Sequence, residues 1–282
     1  MTTIQEAPVR GAGLAGDLRV AGMVWTRELI RYTRNRTRIV SGLMQPVLFL
    51  FVLGYGMGSL VGTSGGFNFR QFVFPGVVAM TVVMTAMFSA ISIVWDREFG
   101  FLREMLIAPV SRAALVLGKT AGGATVAAAQ GAIMLVLAPL VGVRLTVLLV
   151  AEVIALELVM AVAVTAFGVF VASRIQKMEA FQVVMQMLMM PMLFLSGALF
   201  PLNNLPGWLT VITRVNPLTY AVDPLRKVVF AAQNMNTAAR ARFPTGVSVF
   251  GYRMPTPAEL GVVAVFAGVF FLLAIWGLAT TE

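Results

Sequence analysis

Six apolar runs, each long enough to cross a bilayer as a helix, follow one another along this chain with short charged breaks between most of them: Ile39–Val61, Phe72–Trp95, Ala113–Val143, Leu145–Ala172, Phe181–Phe200 and Glu259–Ala279. A helix rising about 1.5 Å per residue needs roughly 20 residues to span a hydrocarbon core ~30 Å thick. Inside lipid each backbone N–H and C=O must be satisfied within its own segment, so such runs fold as helices. Only 12% of the residues are charged and 59% are hydrophobic, against about 25% charged in soluble domains. The expected fold class is an all-α membrane protein with six transmembrane helices. An N-terminal amphipathic interfacial helix precedes them, and short re-entrant helices are expected between spans five and six. Residues 1–38 form the tail and interfacial helix, and 39–282 the transmembrane domain.

Two absences narrow the chemistry. Without cysteine there are no disulfides, iron–sulfur clusters or thiol nucleophiles, and without histidine there is no imidazole catalysis or His-based metal site. The net charge of +9 fits arginines facing anionic lipid rather than nucleic acid. The basic, polar first 38 residues do not read as a cleavable signal.

Asp17 is a candidate N-cap for a helix reaching about Arg38. It would place Leu18, Gly22, Trp25, Leu29 and Tyr32 on one face and Arg27, Arg31, Arg34 and Arg38 nearly opposite. That pattern suits a helix lying in the membrane interface, although a soluble helix packed on a cytosolic partner would share it. Lys119, about two turns into the third run, is expected to snorkel to the surface. Seven arginines precede the first span, three lie between spans two and three, and Arg174 and Lys177 follow span four; the opposite short loops carry only Arg70 and Arg144. The positive-inside rule then gives a multi-pass protein of the bacterial cytoplasmic membrane with both termini cytoplasmic. The long stretch 201–258 dissents, since it holds Arg214, Arg226, Lys227, Arg240, Arg242 and Arg253 on the outer side.

The segment Asp96–Arg112 carries six charges between two apolar runs. A helix over Asp96–Ile107 would place Phe99, Leu102 and Leu106 on one side; Pro109 would stop it, and Ser111 could cap the next. Such a segment is either a solvated loop or a helix suited to a groove on another protein. Asp96-Arg97-Glu98-x-Gly100, Met105-Leu106-x-Ala108-Pro109-Val110-Ser111-Arg112 and Gly118-Lys119 together resemble the coupling segment of type-2 ATP-binding-cassette (ABC) transporter permeases. Phe74-Pro75-Gly76-Val77 and Phe194-Leu195-Ser196-Gly197-Ala198-Leu199-Phe200-Pro201, running on through Leu205-Pro206-x-Trp208 to Asn216-Pro217-Leu218-Thr219-Tyr220-Ala221-Val222-Asp223, fit the same family. Within it the chain resembles the daunorubicin-resistance-type drug exporters from the basic N-terminal helix to span six.

That resemblance implies a permease dimer, of two like or two unlike chains, working with two copies of a separate ATPase that holds ATP and Mg. It makes Asp96, Arg97, Glu98, Gly100, Pro109, Ser111 and Arg112 candidates for coupling, with Arg103 and Glu104 as charged neighbours in the same segment 96–112. It also implies an external gate over 201–232, with Pro201, Pro206, Trp208, Asn216, Pro217, Tyr220 and Asp223 as its candidate residues. The residues independently place the nucleotide site elsewhere. Gly118-Lys119-Thr120 looks like the tail of a phosphate loop, but Ala113 stands where its first glycine is needed, and a membrane helix surrounds it.

Five prolines between Pro191 and Pro224 should break that region into short helices, about Trp208–Arg214 and Tyr220–Ala232. Glu152 and Glu157, acids inside the fourth run, need a partner, a wet cavity or a proton, and are candidates for the translocation path or for mere surface and pairing roles. Met189 and Met192, in a methionine cluster around Pro191, are either adaptable packing or a lipophilic surface. The reading is a transport subunit, not itself an enzyme, that exports an amphipathic or lipophilic compound. Glycan or glycolipid export by the same family is an alternative, as is an ion-gradient-driven secondary transporter using Glu152 and Glu157.

Overall fold

The computed structural model describes residues 13–61, 68–100, 111–200, 202, 205–233, 245–249 and 252–280. Among them α1 (Leu14–Arg34) leads into α2 (Arg36–Val61), α3 (Phe69–Ser89) and α4 (Ile91–Glu98). Then come α5 (Arg112–Leu135), a 3-10 turn (Ala138–Val141), α6 (Val147–Arg174) and α7 (Met178–Phe194). The short α8 (Gly207–Val215) and α9 (Pro217–Ala231) are followed by a two-residue antiparallel ladder of β1 (Ser248–Val249) with β2 (Tyr252–Arg253), and by α10 (Thr256–Ala279). Apart from that ladder the described chain is helical. Four stretches, Arg36–Gly58, Phe69–Glu98, Val147–Arg174 and Thr256–Ala279, are long and apolar enough to cross a membrane. Helix α5 has the length but is diluted by glycine, alanine and threonine, and α7 has only 17 residues.

Helix α3 is the centre. Every residue from Phe72 to Val83 is buried, the all-round apolar signature of a helix enclosed by others. Helices α2, α5, α6 and α9 pack around it, and α10 lies along α6. There Phe167 meets Phe270 edge-on at 4.9 Å, and Arg174 lies 4.2 Å over the Trp276 ring. Helix α2 touches the bundle on one side only. Val40, Met44, Leu48, Val52 and Tyr55 form an exposed stripe at steps of three and four, as expected of a face turned to lipid or to another apolar surface. From Arg70 to Phe88 helix α3 rises about 27 Å, close to the ~30 Å core. Helix α4 continues past that length to Trp95, Asp96, Arg97 and Glu98.

Several sequence expectations are corrected. Helix α1 starts at Leu14 behind an N-cap at Gly13, so Asp17 lies within its first turn, and Asn35 ends it before Arg38, which belongs to α2. Its buried face is Ala21, Val24, Glu28 and Tyr32, while Leu18 is exposed. The face opposite the arginines, expected in the membrane interface, is thus about one position off the buried one, along which the helix packs lengthwise on α5. A Cβ on Gly118 would sit 2.7 Å from the Ala21 carbonyl oxygen, so glycine there is what lets the two backbones close. The helix expected over Asp96–Ile107 does not run through: α4 ends at Glu98, and Gly100 turns left-handed at φ +83°, a conformation that costs a non-glycine residue strain. The short helices expected about Trp208–Arg214 and Tyr220–Ala232 stand as α8 and α9, and α7 and α9 run on through Pro191 and Pro224; in a packed membrane bundle neighbours satisfy the freed backbone groups. Ser111 does cap α5, its side chain accepting from the Ala114 N–H at 3.2 Å.

Candidate functional site

The charges at the end of α4 turn inward. Lys119 Nζ, on α5, donates to Glu28 Oε1 at 2.8 Å, Asp96 Oδ2 at 2.8 Å and Ser92 Oγ at 2.9 Å. Those three acceptors use all three ammonium hydrogens. Arg27 Nη2 adds a second cation 2.6 Å from Asp96 Oδ2. Lys119, Glu28 and Asp96 are all buried, and Arg27 is the half-exposed rim of the cluster. Two acids and two bases balance, which is what a buried ionic cluster needs to be tolerated. The junction joins α1, α4 and α5 at one point.

The next two residues reach the other side of the bundle. Arg97 donates from Nη1 to the Ile175 carbonyl and from Nη2 to the Ser173 carbonyl, both at 3.0 Å, so the guanidinium caps the open C-terminal end of α6. Glu98 Oε2 accepts from the Met178 N–H at 3.3 Å, at the first residue of α7, and Trp95 Nε1 lies 2.8 Å from Met178 Sδ. Arg112 Nη1 donates to the Ala279 carbonyl at 2.8 Å, tying the start of α5 to the end of α10. Residues 95–98 and 112 therefore fasten the flanks of the charged segment to most of the bundle. Arg103, Glu104 and Pro109 lie outside the described residues.

Of two side chains expected at the surface, one is thus internal and the other is drawn to the rim of the junction. Lys119 was to snorkel and instead anchors three acceptors, because Asp96 and Glu28 already stand within reach of its short excursion. Arg27 was to face phosphate and instead meets Asp96. Glu28 was missed; it was legible as the one acid on the stripe Ala21, Val24, Glu28 and Tyr32, facing a lone lysine on α5. Among the other arginines, Arg31 lies 5.5 Å over the Trp95 ring, Arg34 is exposed and Arg38 donates to the Phe88 carbonyl at 3.2 Å. Trp25 Nε1 donates to Thr125 Oγ1 at 3.1 Å. Burial pushes the Tyr32 phenol above its ordinary value, in keeping with a hydroxyl that donates to Gln130 Oε1 at 2.9 Å.

A second polar knot lies at the opposite end. Lys227 Nζ is 2.8 Å from Asp223 Oδ2 and 2.8 Å from both Glu259 oxygens, joining α9 to the start of α10. Arg226 is buried 4.4 Å over the Phe72 ring and donates to the Gly197 and Ala198 carbonyls. Asn216 caps α9 through the Leu218 N–H and donates to the Met192 carbonyl at 2.6 Å, ahead of Pro217 in the first turn of α9. Tyr220 Oη donates to the Arg214 carbonyl at 2.7 Å. Asp223 Oδ1 also accepts from the Gly246 N–H. Pro206 stands at the N-cap of α8, and Trp208, in that helix, is 67% exposed. Pro201 lies outside the described residues.

The acids and methionines of the spans separate. Glu152 is exposed on α6, while Glu157 is fully buried with neither oxygen partnered among the described residues. Met189 is a core residue at 3% exposure, and Met192 is half-buried, so Met189 is closed to any cargo in this conformation.

A family model described as "ABC-2 type transporter" matches residues 20–230. The chain is similar to Nodulation protein J of Rhizobium leguminosarum bv. trifolii, 32% identical over 211 residues that cover 73% of this chain and 79% of that one. It is similar to Nodulation protein J of Rhizobium meliloti at 30%, covering 74% and 80%. Inner membrane transport permease YadH of Escherichia coli strain K12 is 26% identical, covering 72% and 80%.

Proposed function

The chain belongs to the ABC-2 type transporter family, a membrane transport component, and from that premise we propose that it is the permease subunit of an ATP-driven exporter of amphipathic or lipophilic compounds: a drug, a secondary metabolite or a lipid. It works as a permease dimer with two copies of a separate ATPase that binds the ATP and Mg. Six spans, counting α5 with its 3-10 turn and α7, leave both termini in the cytoplasm. The orientation gains support from the second knot. Arg226 and Lys227, which sit in the stretch that broke the charge rule, are consumed by internal partners and present no free positive charge outside.

The observation that carries the reading is the junction of α1, α4 and α5 at Lys119, with Arg97 and Glu98 fixing the same short segment to α6 and α7. Force applied to the segment 96–112 from the cytoplasm reaches five helices at once, as a rigid-body transition requires. Asp96, Arg97 and Glu98 then position the segment, and residues beyond Gly100 meet the ATPase. Helices α8 and α9, pinned by Asn216, Arg226 and Lys227, serve as the external gate.

The test is the rate of ATP hydrolysis by the partner ATPase with and without this chain in lipid nanodiscs. Stimulation of several-fold is expected, and Arg103→Glu with Glu104→Lys should abolish it while leaving the permease folded. Cargo movement driven by an ion gradient with no ATPase bound would instead establish a secondary transporter. Glu157→Gln is expected to slow cargo export with ATPase binding unchanged. Export at the unaltered rate would remove Glu157 from the path.

A further inference from the structure

A cavity of about 340 Å³ opens between α2, α3 and α5. Its lining includes Arg38, Gln130, Gln45, Thr85, Met84 and Phe88 and, among the described residues, no carboxylate. Gln130 is 1% exposed; its Oε1 accepts from Tyr32, but its Nε2 has no partner among the described residues. A buried amide N–H2 left so is costly unless something accepts from it. Arg38 supplies a cation at the same wall, held by the Phe88 carbonyl at 3.2 Å. Gly42 keeps the space open, since a Cβ there would lie 2.4 Å from Gln130 Nε2.

The donors call for an anionic oxygen ligand, and the methionine and phenylalanine for an apolar body attached to it. Position selects the source. Arg38 lies beside Phe88, at the boundary of the apolar slab, and α2 on the same side exposes Val40, Met44 and Leu48. A molecule entering there comes from the leaflet, not from bulk water. We propose that this cavity is a binding site for the headgroup of an anionic phospholipid, its phosphate held by the Arg38 guanidinium and the Gln130 amide. The site does not depend on the identity of the exported cargo or on an ATPase.

The test uses the full-length chain reconstituted in bilayers of equal phosphatidylglycerol and phosphatidylcholine, extracted, and weighed by native mass spectrometry. One phosphatidylglycerol per chain should survive extraction, favoured about tenfold over phosphatidylcholine. Arg38→Gln with Gln130→Leu should erase that preference. Gly42→Leu, which fills the cavity and leaves the cation, should expel the lipid, while Arg34→Gln, on the exposed side of α1, should change nothing. Equal retention of the two lipids by the unaltered chain overturns the proposal, and that arm requires no variant to fold. Lipid held undiminished by Gly42→Leu also overturns it. Displacement of the lipid by millimolar inorganic phosphate overturns it in favour of a soluble anion.

Discussion

Lys119→Met should destabilise the folded chain by about 3–5 kcal/mol, the cost of breaking a buried ionic cluster from one side. Methionine nearly matches the volume, so packing changes little. What remains is Asp96 and Glu28, both buried, with the ammonium that served them gone. Arg27 is 45% exposed and lies 3.9 Å from Glu28 Oε1, so it relieves only part of the repulsion. Thermal unfolding in detergent reads the loss. The triple variant Lys119→Met, Asp96→Asn, Glu28→Gln should recover most of it, because no uncompensated charge is left. These two measurements separate charge from shape. If Lys119→Met melts with the unaltered chain, the cluster does not hold α1, α4 and α5 together. The triple variant also tests the functional proposal: folded but without its rivet, it should bind the ATPase and lose stimulation.

The four long apolar helices were legible because apolar runs bounded by charges leave no alternative in lipid. The short helices α8 and α9 were legible through Pro206, Pro217 and Asn216, whose local chemistry fixes a helix start whatever surrounds it. Pairing was harder to read. The stripe Ala21, Val24, Glu28 and Tyr32 is only about one position away from the stripe chosen by hydrophobicity, and small residues won because α5 offers glycines at Gly118 and Gly122. A periodicity argument sees one helix and cannot weigh a partner's contour. Lys119 was misjudged for the same reason. Whether a lysine snorkels depends on whether an acid stands nearer than the surface, and Asp96 and Glu28 are 23 and 91 residues away in sequence. At Glu98 the end of α4 was obscured by the charges that follow it, although Gly100 carried the stop signal.

Gly76→Ala should be among the most damaging single-methyl substitutions available in this chain. A Cβ at Gly76 would lie 1.6 Å from the Ala198 carbonyl oxygen and 2.5 Å from its carbon, and backbone cannot step aside as a flexible side chain can. Helix α3 and the turn 196–199 must therefore separate. Overpacking of this kind costs about 1–3 kcal/mol by itself. Here it carries a second penalty, since the Gly197 and Ala198 carbonyls are the acceptors for Arg226. Moving them strands a guanidinium that is 4% exposed, and the combined loss should reach about 3–5 kcal/mol. Gly58→Ala is the matched control, because among the described residues nothing lies within 4 Å of its added Cβ; it should leave stability unchanged or raise it by about 0.5–1 kcal/mol through helix propensity. Melting curves of the two variants side by side decide the matter. Arg226→Met in the Gly76→Ala background should win back the electrostatic share and leave the steric one. If Gly76→Ala melts where Gly58→Ala does, α3 and the turn are not in contact, and the anchor proposed for the external gate fails with them.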